Sequence, residues 1–211
     1  MPNHSNSPVI SIGMPVYNGA KNIRNALDSI LSQSFIDFVI IISDNASTDG
    51  TEAIVLEYAR NDSRINYIRQ PKNIGAIANF QFVFKISSTK YFMWAADDDT
   101  RSRDYLEKNF YFLENNESYV GSTLQTRFQG GHFDPVRMGD ASLYHEDFAK
   151  RIINFFGTWH ANGRFYSLFR RAEIVPWIEK DRNFLGSDWT LITYLASKGK
   201  LNRIDTGWVE L

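Results

Sequence analysis

Hydrophobic and polar positions follow two alternating periods over the first half of the chain. Short apolar runs predict buried strands, and segments with apolar side chains every three or four positions predict helices. The predicted strands are Val9–Val16, Phe38–Ile42, Ile65–Ile68 and Tyr91–Trp94. The predicted helices are Lys21–Gln33, Thr51–Arg60 and Ala76–Ile86. Alternation of this kind is typical of right-handed βαβ units in an open, mostly parallel sheet, so the predicted fold class is α/β.

The second half of the chain is less regular. Its predicted helices are Asp104–Asn115, Ser142–Phe156 and Asp188–Lys198, and its predicted strands are Val120–Gln129 and Arg164–Phe169. A break is predicted at Gly130-Gly131, and Asn202–Val209 closes the chain without an obvious finish. Because no repeat or linker separates the halves, we expect one domain over residues 8–211, built from the unequal halves 8–100 and 101–211. Residues 1–7 are expected to form a disordered tail.

The composition excludes several classes of protein. The 211 residues are 43% hydrophobic, enough for a sizeable core, and 23 basic against 24 acidic residues leave a net charge of −1. That balance gives no general affinity for nucleic acid. The absence of cysteine excludes disulfide scaffolds and thiol catalysis. Because the N-terminus is polar and no apolar stretch approaches the ~20 residues that cross a bilayer, we expect a cytoplasmic protein without a transmembrane segment.

Polar side chains follow three of the predicted strands at the point where each strand ends. Pro15, Tyr17 and Asn18 come at the end of the first strand, Asp44 at the end of the second and Asp97–Asp99 after the fourth. In open α/β sheets ligands bind where the carboxyl ends of the parallel strands meet. We therefore expect Asp44 and the aspartate run to lie at one edge of the sheet.

Three consecutive aspartates repel one another unless a cation lies between them. Oxygen-only ligands suit Mg²⁺ or Mn²⁺, and a small set of protein carboxylates suits a metal that takes its other ligands from a substrate diphosphate. The alternative is a solvated acidic turn whose first aspartate caps the following helix.

Several other chemistries lack their motifs in this chain. No G-x-G-x-x-G follows the first strand, and no G-x-x-x-x-G-K-[ST] or G-x-S-x-G is present. A calcium-loop-like stretch from Asn45 fails at its twelfth position, which is Leu56 instead of glutamate. The four histidines have no metal-ligand spacing. A dehydrogenase, a P-loop enzyme and an acyl hydrolase are therefore disfavoured.

Five stretches in order resemble the family 2 glycosyltransferases of the GT-A fold. They are Ser11–Asn18 (SIGMPVYN), Ser43–Thr51 (SDNASTDGT), Asn73-x-Gly75, Ala78-Asn79 and Asp97–Asp99. The likeness is specific over residues 8–100 and continues more loosely through Gly163–Arg171 and Gly186–Leu191. It makes 8–100 the nucleotide-sugar-binding half and 101–211 the acceptor-side half. Relatives usually continue beyond Leu211, which leaves open whether the second half is truncated.

The resemblance implies a role for each matching position on the donor side. Pro15, Tyr17 and Asn18 would line the nucleotide pocket, Asp44 would hydrogen-bond the base edge, and Asn79 would lie near the nucleotide.

The acidic run would match the D-x-D element of the family. Asp97 would contact the ribose or sugar, and Asp99 or Asp98 would bind the metal. The register is open, because Asp97 and Asp99 would face one way in an extended segment whereas Asp98 could be the ligand instead. Asp188 would match the general base of inverting members, with Ser187 where many relatives have an acidic residue. Its alternative role is to cap the helix that it begins.

The implied activity is a metal-dependent, inverting hexosyl transfer from a nucleotide-diphosphate sugar, with a UDP-sugar favoured. The acceptor would be the hydroxyl of a saccharide or lipid-linked saccharide in bacterial cell-envelope or surface-polysaccharide synthesis, which is compatible with peripheral association at the inner face of the membrane. Two alternatives stay open: a non-catalytic nucleotide-sugar-binding module, and a nucleotidyltransferase, although Pro-Val-Tyr-Asn-Gly is a poor phosphate loop. The aromatic residues of the second half form either an acceptor-stacking platform or ordinary core: Trp159, Phe165, Tyr166, Trp189 and Trp208.

Overall fold

The computed structural model describes residues 7–128, 139–157, 162–180 and 186–211. The described strands are β1 (Ile10–Val16), β2 (Phe38–Asp44), β3 (Ile65–Arg69), β4 (Tyr91–Trp94), β5 (Thr100–Arg101), β6 (Tyr119–Arg127), β7 (Leu168–Arg170) and β8 (Lys200–Glu210). The described helices are α1 (Ile23–Leu31), α2 (Thr51–Asn61), α3 (Ala76–Lys85), α4 (Tyr105–Asn115), α5 (Phe148–Gly157), α6 (Arg171–Ile178) and α7 (Ser187–Lys198), with a 3₁₀ turn over Gly163–Tyr166. Except for Ser7, the predicted tail lies outside the described residues, as do Gly130-Gly131 and Trp159.

The described strands form one mixed sheet in the order β3-β2-β1-β4-β7-β6-β8-β5. The first four strands in that order are parallel, which confirms the βαβ units predicted for the first half. β7 pairs antiparallel with both β4 and β6, β6 runs parallel to β8, and β5 pairs antiparallel with β8. The carboxyl ends of β1, β2 and β4 therefore meet at one edge of the sheet.

Both faces of the central strands are buried, and alternate residues contribute to two cores. Ile12 and Met93 belong to one core, which the helices α1, α2 and α4 cover. Phe92 and Trp94 belong to the other, which α3, α5, α6 and α7 cover. Since successive side chains of a strand point to opposite faces, a strand between two helical layers needs an uninterrupted apolar run. This is the pattern that made β1, β2 and β4 predictable.

The predicted helix Ser142–Phe156 is wrong in its first half. Helix α5 begins only at Phe148, and before it Leu143 forms an antiparallel bridge with Leu201 of β8. The buried Arg151 also donates to the carbonyls of His145 and Ala196. The backbone before the helix is therefore used for long-range pairing, which a local hydrophobic period does not report.

One further prediction in the second half is wrong, and one segment without a predicted element forms a strand. Arg164–Phe169 is not a continuous strand, because the 3₁₀ turn comes first and only the three-residue strand β7 follows. Asn202–Val209, for which no element was predicted, lies within the long strand β8. β8 bulges near Trp208 in its register with β6, and a bulge breaks the alternation on which strand prediction depends.

Gly13 provides a stability test of the central strand. A Cβ added there would lie 2.7 Å from both Phe92 Cζ and Val83 Cγ2, which are buried core atoms. We expect Gly13→Ala to lower the free energy of unfolding by about 1–3 kcal/mol, the usual effect of overpacking a core. Gly157→Ala is the matched control, because among the described residues no atom outside its own helix backbone and chain neighbours lies within 4 Å of the added methyl group. Urea denaturation of both variants measures the difference, and equal midpoints would contradict it.

Candidate active site at the carboxyl edge of the sheet

The loop after β1 is hydrogen-bonded to the loop after β2. Asn18 has a positive φ of 55°, a conformation that asparagine tolerates better than most residues. Its backbone N–H donates to Ser47 Oγ at 2.9 Å, and its side-chain Oδ1 accepts from the N–H of Thr48 at 2.8 Å. Pro15 is buried in β1, whereas the ring of Tyr17 is half exposed beside this loop. Of the predicted pocket residues, Pro15 therefore lies within β1, whereas Tyr17 and Asn18 lie on the following loop, which the loop after β2 holds in place.

Asp44 ends β2 with its side chain fully buried. Its Oδ1 accepts from the Ser47 N–H at 2.7 Å, and its Oδ2 accepts from the Tyr67 hydroxyl and Arg69 Nη1, each at 2.8 Å. Sequence reasoning did not find Tyr67 and Arg69. The signal was available, because two polar residues at alternate positions of an edge strand share one face.

Asn79 is buried on α3 and its amide is directed at the sheet. Its Oδ1 accepts from the Ser43 hydroxyl at 2.6 Å, and its Nδ2 donates to the Ser43 carbonyl at 2.8 Å. Gln70 Nε2 also donates to the Ser43 hydroxyl, which is its second hydrogen bond. Asn79 therefore joins α3 to the end of β2, one residue before Asp44.

The acidic loop, Asp97–Asp99, lies after β4 and meets the loop after β1. A Cβ added to Gly19 would lie only 2.0 Å from Asp97 Oδ2, so this close approach requires glycine. Burial, together with the charges of Asp98 and Asp49, raises the pKa of Asp97 to about 6. The expected convergence of strand ends at one edge is therefore confirmed for the loops after β1, β2 and β4.

The three aspartates have different surroundings. Asp98 is exposed, whereas Asp99 is buried and ion-paired with Arg101 at 3.8 Å. Burial raises the pKa of Asp99 to about 6, against the opposing effect of Arg101. The extended segment predicted to make Asp97 and Asp99 face one way is wrong, because Asp97 and Asp98 form a turn. Asp97 lies against Gly19 and Asp99 lies beside Arg101.

Asp188 lies in the first turn of α7, at the wall of a cavity of about 330 Å³. Its Oδ2 accepts a hydrogen bond from Asn162 Nδ2 at 3.0 Å. Asn162 Oδ1 is buried and has no hydrogen-bond partner among the described residues. The cavity has an apolar and a polar part, formed by Ala76, Ile77, Phe80, Phe165 and Leu211 and by Asn162, Tyr166, Ser187 and Asp188. The pairing of Asn162 with Asp188 was not foreseen from the sequence.

The Tyr166 hydroxyl is affected by charges from both the acidic loop and Asp188. Burial raises the pKa of the Tyr166 hydroxyl, the charges of Asp99, Asp98 and Asp188 raise it further, and Arg101 lowers it. The hydroxyl therefore stays protonated at neutral pH and is a hydrogen-bond donor at the cavity wall. Asp188 and the acidic loop, distant in the chain, lie close enough to act on the same group.

Most of the described aromatic residues of the second half are packed against other groups. Phe165 stacks on Trp94 with ring centroids 5.0 Å apart, and Trp189 packs on Phe155. The guanidinium of Arg127 lies 3.7 Å from the ring of Trp208. Phe165 and Tyr166 also line the cavity beside Asp188, so these two rings are the part of the predicted platform that faces it.

The described part of the chain has two further properties that concern ligands and membranes. It contains no group of three or more histidine, aspartate or glutamate side chains that could hold a metal ion by themselves. Among the same residues, no helix is long and apolar enough to span a bilayer.

The chain is similar to known proteins in sequence and in structure. Residues 11–174 match the family described as glycosyl transferase family 2. A Bacillus subtilis protein named for teichuronic acid biosynthesis, the glycosyltransferase TuaG, is 30% identical over 149 residues, 69% of this chain and 59% of the relative. The crystal structure of S. aureus TarS 1-349 matches with a TM-score of 0.75 at 17% identity, covering 94% of this chain and 59% of that one.

A second fold neighbour is the mannosyltransferase PcManGT of Pyrobaculum calidifontis, solved in complex with GDP-Man and Mn²⁺. It matches with a TM-score of 0.71 at 15% identity, covering all of this chain and 59% of that one. The chain thus spans about three fifths of the length of each of these relatives. The fold is the GT-A fold, and the chain belongs to the family 2 glycosyltransferases.

Proposed function

We propose that this domain catalyses metal-dependent, inverting transfer of a hexosyl group from a nucleotide-diphosphate sugar to a hydroxyl of a saccharide or lipid-linked saccharide. The observation that carries the proposal is the convergence of the loops after β1, β2 and β4 at one edge of the sheet, with Asp97 against Gly19, together with Asp188 and Tyr166 in the wall of one cavity. Transfer at an anomeric carbon requires a site that holds the donor diphosphate and a general base for the acceptor hydroxyl. Both must face the same substrate-binding space. The family match argues against the nucleotidyltransferase alternative.

On the donor side, we assign the nucleotide to the loops after β1 and β2. Pro15, Tyr17 and Asn18 would line its pocket, and the base edge would bind Asp44. Because the Asp44 side chain is fully buried and already accepts from Ser47, Tyr67 and Arg69, a base N–H would bind it by displacing one of the two side-chain donors. Asn79 would support the nucleotide site indirectly, because its hydrogen bond to the Ser43 carbonyl holds the end of β2 in place.

A UDP-sugar is the favoured donor. TarS 1-349 has been solved with UDP and with UDP-GlcNAc, which supports this preference. PcManGT was solved with GDP-Man, so the fold itself accommodates either base.

The acidic loop fits Mg²⁺ or Mn²⁺ in its chemistry, because carboxylate oxygens are the ligands that these ions prefer. The exposed Asp98 and the neighbouring Asp99 would hold the ion, and Asp97 would contact the ribose or sugar. Since the described residues contain no three carboxylates that could hold the ion by themselves, the remaining ligands would come from the donor diphosphate. When bound, the metal would neutralise charge on the departing diphosphate.

Asp188 would serve as the general base. The acceptor oxygen attacks the anomeric carbon, the bond from that carbon to the diphosphate oxygen breaks, and the proton of the acceptor hydroxyl passes to Asp188. The Asn162 amide, bonded to Asp188 Oδ2, would orient the carboxylate for this transfer. Attack from the face opposite the diphosphate inverts the anomeric configuration.

The pathway we propose is bacterial cell-envelope or surface-polysaccharide synthesis, and the name of the Bacillus relative supports it. With a lipid-linked acceptor, the reaction would take place in the cytoplasm at the inner face of the membrane.

Calorimetric titration of UDP, GDP, CDP and dTDP, with Mn²⁺ and with EDTA, tests the donor site. We expect UDP to bind most tightly of the four, far more tightly in Mn²⁺ than in EDTA, and the matching UDP-sugar to be consumed when an acceptor is supplied. Binding without turnover across an acceptor panel would indicate the non-catalytic module instead. Absence of binding by all four nucleotides would overturn the proposal.

A further inference from the structure

Arg101 is a buried cation directly beneath the acidic loop. β5 contains Arg101 and pairs antiparallel with β8, Arg101 lying opposite Val209. This pairing fixes the backbone of Arg101 two residues after Asp99, and its side chain has no exposure to solvent.

The guanidinium of Arg101 has no hydrogen bond among the described residues. Nε, Nη1 and Nη2 are all buried and unpartnered. Nη2 lies 3.8 Å from Asp99 Oδ2, which is an ion pair but too long for a hydrogen bond. The ring of Tyr105 lies 5.7 Å from the guanidinium carbon. A buried charge is costly unless an opposite charge compensates it, so the acidic loop and Arg101 stabilise each other.

The position of Arg101 has a consequence for any cation that enters the loop. A divalent ion held by Asp99 and Asp98 would lie close to a fixed positive charge that water does not screen. The diphosphate of a donor would bring negative charge that offsets this repulsion.

We propose that Arg101 is the resident counter-ion of the acidic loop, and that it weakens the binding of a free divalent cation so that the ion enters with the donor diphosphate. The inference rests on the proposed function of the loop. It makes Arg101 a positioning residue that acts through Asp99 and does not touch substrate.

Titration of Mn²⁺ alone, followed by electron paramagnetic resonance of the free ion, tests the proposal. We expect Arg101→Met, which keeps the length of the side chain and removes its charge, to bind Mn²⁺ roughly tenfold more tightly than the unaltered protein. Arg101→Lys keeps the charge and should bind Mn²⁺ as the unaltered protein does. The factor by which UDP tightens Mn²⁺ binding should fall in Arg101→Met and persist in Arg101→Lys.

Two results would overturn the inference: equal Mn²⁺ affinity in folded Arg101→Met and in the unaltered protein, or weaker affinity in the variant. If Arg101→Met does not fold in EDTA, Arg101→Gln is titrated in its place, with folding checked by circular dichroism. The proposed function fails separately, since it requires the unaltered protein to bind a nucleoside diphosphate in Mn²⁺. If the unaltered protein passes that test and Arg101→Met shows no change in Mn²⁺ affinity, only the counter-ion proposal for Arg101 is refuted.

Discussion

Replacement of Asp188 by asparagine is expected to lower turnover by about 100- to 10,000-fold, the usual contribution of a general base. Asparagine has nearly the same shape but does not accept the proton of the acceptor hydroxyl. Nucleoside diphosphate affinity in Mn²⁺ should be unchanged, because the donor is assigned to the loops after β1, β2 and β4, whereas Asp188 lies on α7. Initial rates with saturating donor and acceptor measure the loss, and calorimetry measures the affinity.

The control for Asp188→Asn is Asp37→Asn, which removes one exposed carboxylate at the opposite end of β2. Asp188 also lies in the first turn of α7, where a negative charge stabilises the helix by about 0.3–1 kcal/mol. Thermal melts of both variants show whether this structural effect is present. If Asp188→Asn retains turnover within about threefold of the unaltered protein, Asp188 is not the base, since even weak general bases contribute far more.

The second large effect is expected in the acidic loop. Asp98→Asn and Asp99→Asn should each weaken Mn²⁺-dependent binding of UDP by at least about 10- to 100-fold, since even the partners of metal ligands contribute this much. Binding in EDTA should not change in either variant. Asp97→Asn should weaken binding under both conditions, because Asp97 is assigned to the ribose or sugar.

Calorimetry of the three variants with UDP, in Mn²⁺ and in EDTA, measures these differences, with Asp37→Asn again as the control. The residue whose loss has the larger Mn²⁺-dependent effect is the principal ligand. Unchanged Mn²⁺-dependent affinity in both Asp98→Asn and Asp99→Asn would exclude the acidic loop as the cation site.

The N-terminal half was predictable because its structure is encoded locally. β4 was predicted with the observed bounds, and α1 has the expected face of buried residues at helical spacing: Ile23, Ala26, Leu27 and Ile30. Parallel strands buried on both faces need continuous apolar runs, and such runs are visible in a single sequence.

The second half was predicted less well because long-range pairing competes with local periodicity there. Leu143 bridges to β8, and the segment that resembled the start of a helix is therefore not helical. Helix α6 was not predicted, and it contains Pro176, which local propensity treats as a helix breaker.

The sequence alone determined the family, the α/β class, and which polar residues follow which strands, since these depend on residues near one another in the chain. Only the tertiary structure decided how those residues are partnered. Arg69 reaches Asp44, Asn162 reaches Asp188, and the pairing of β5 with β8 brings Arg101 beneath Asp99. Each arrangement depends on which segments far apart in the chain lie next to each other, and the hydrophobic period of one segment does not identify its distant partner.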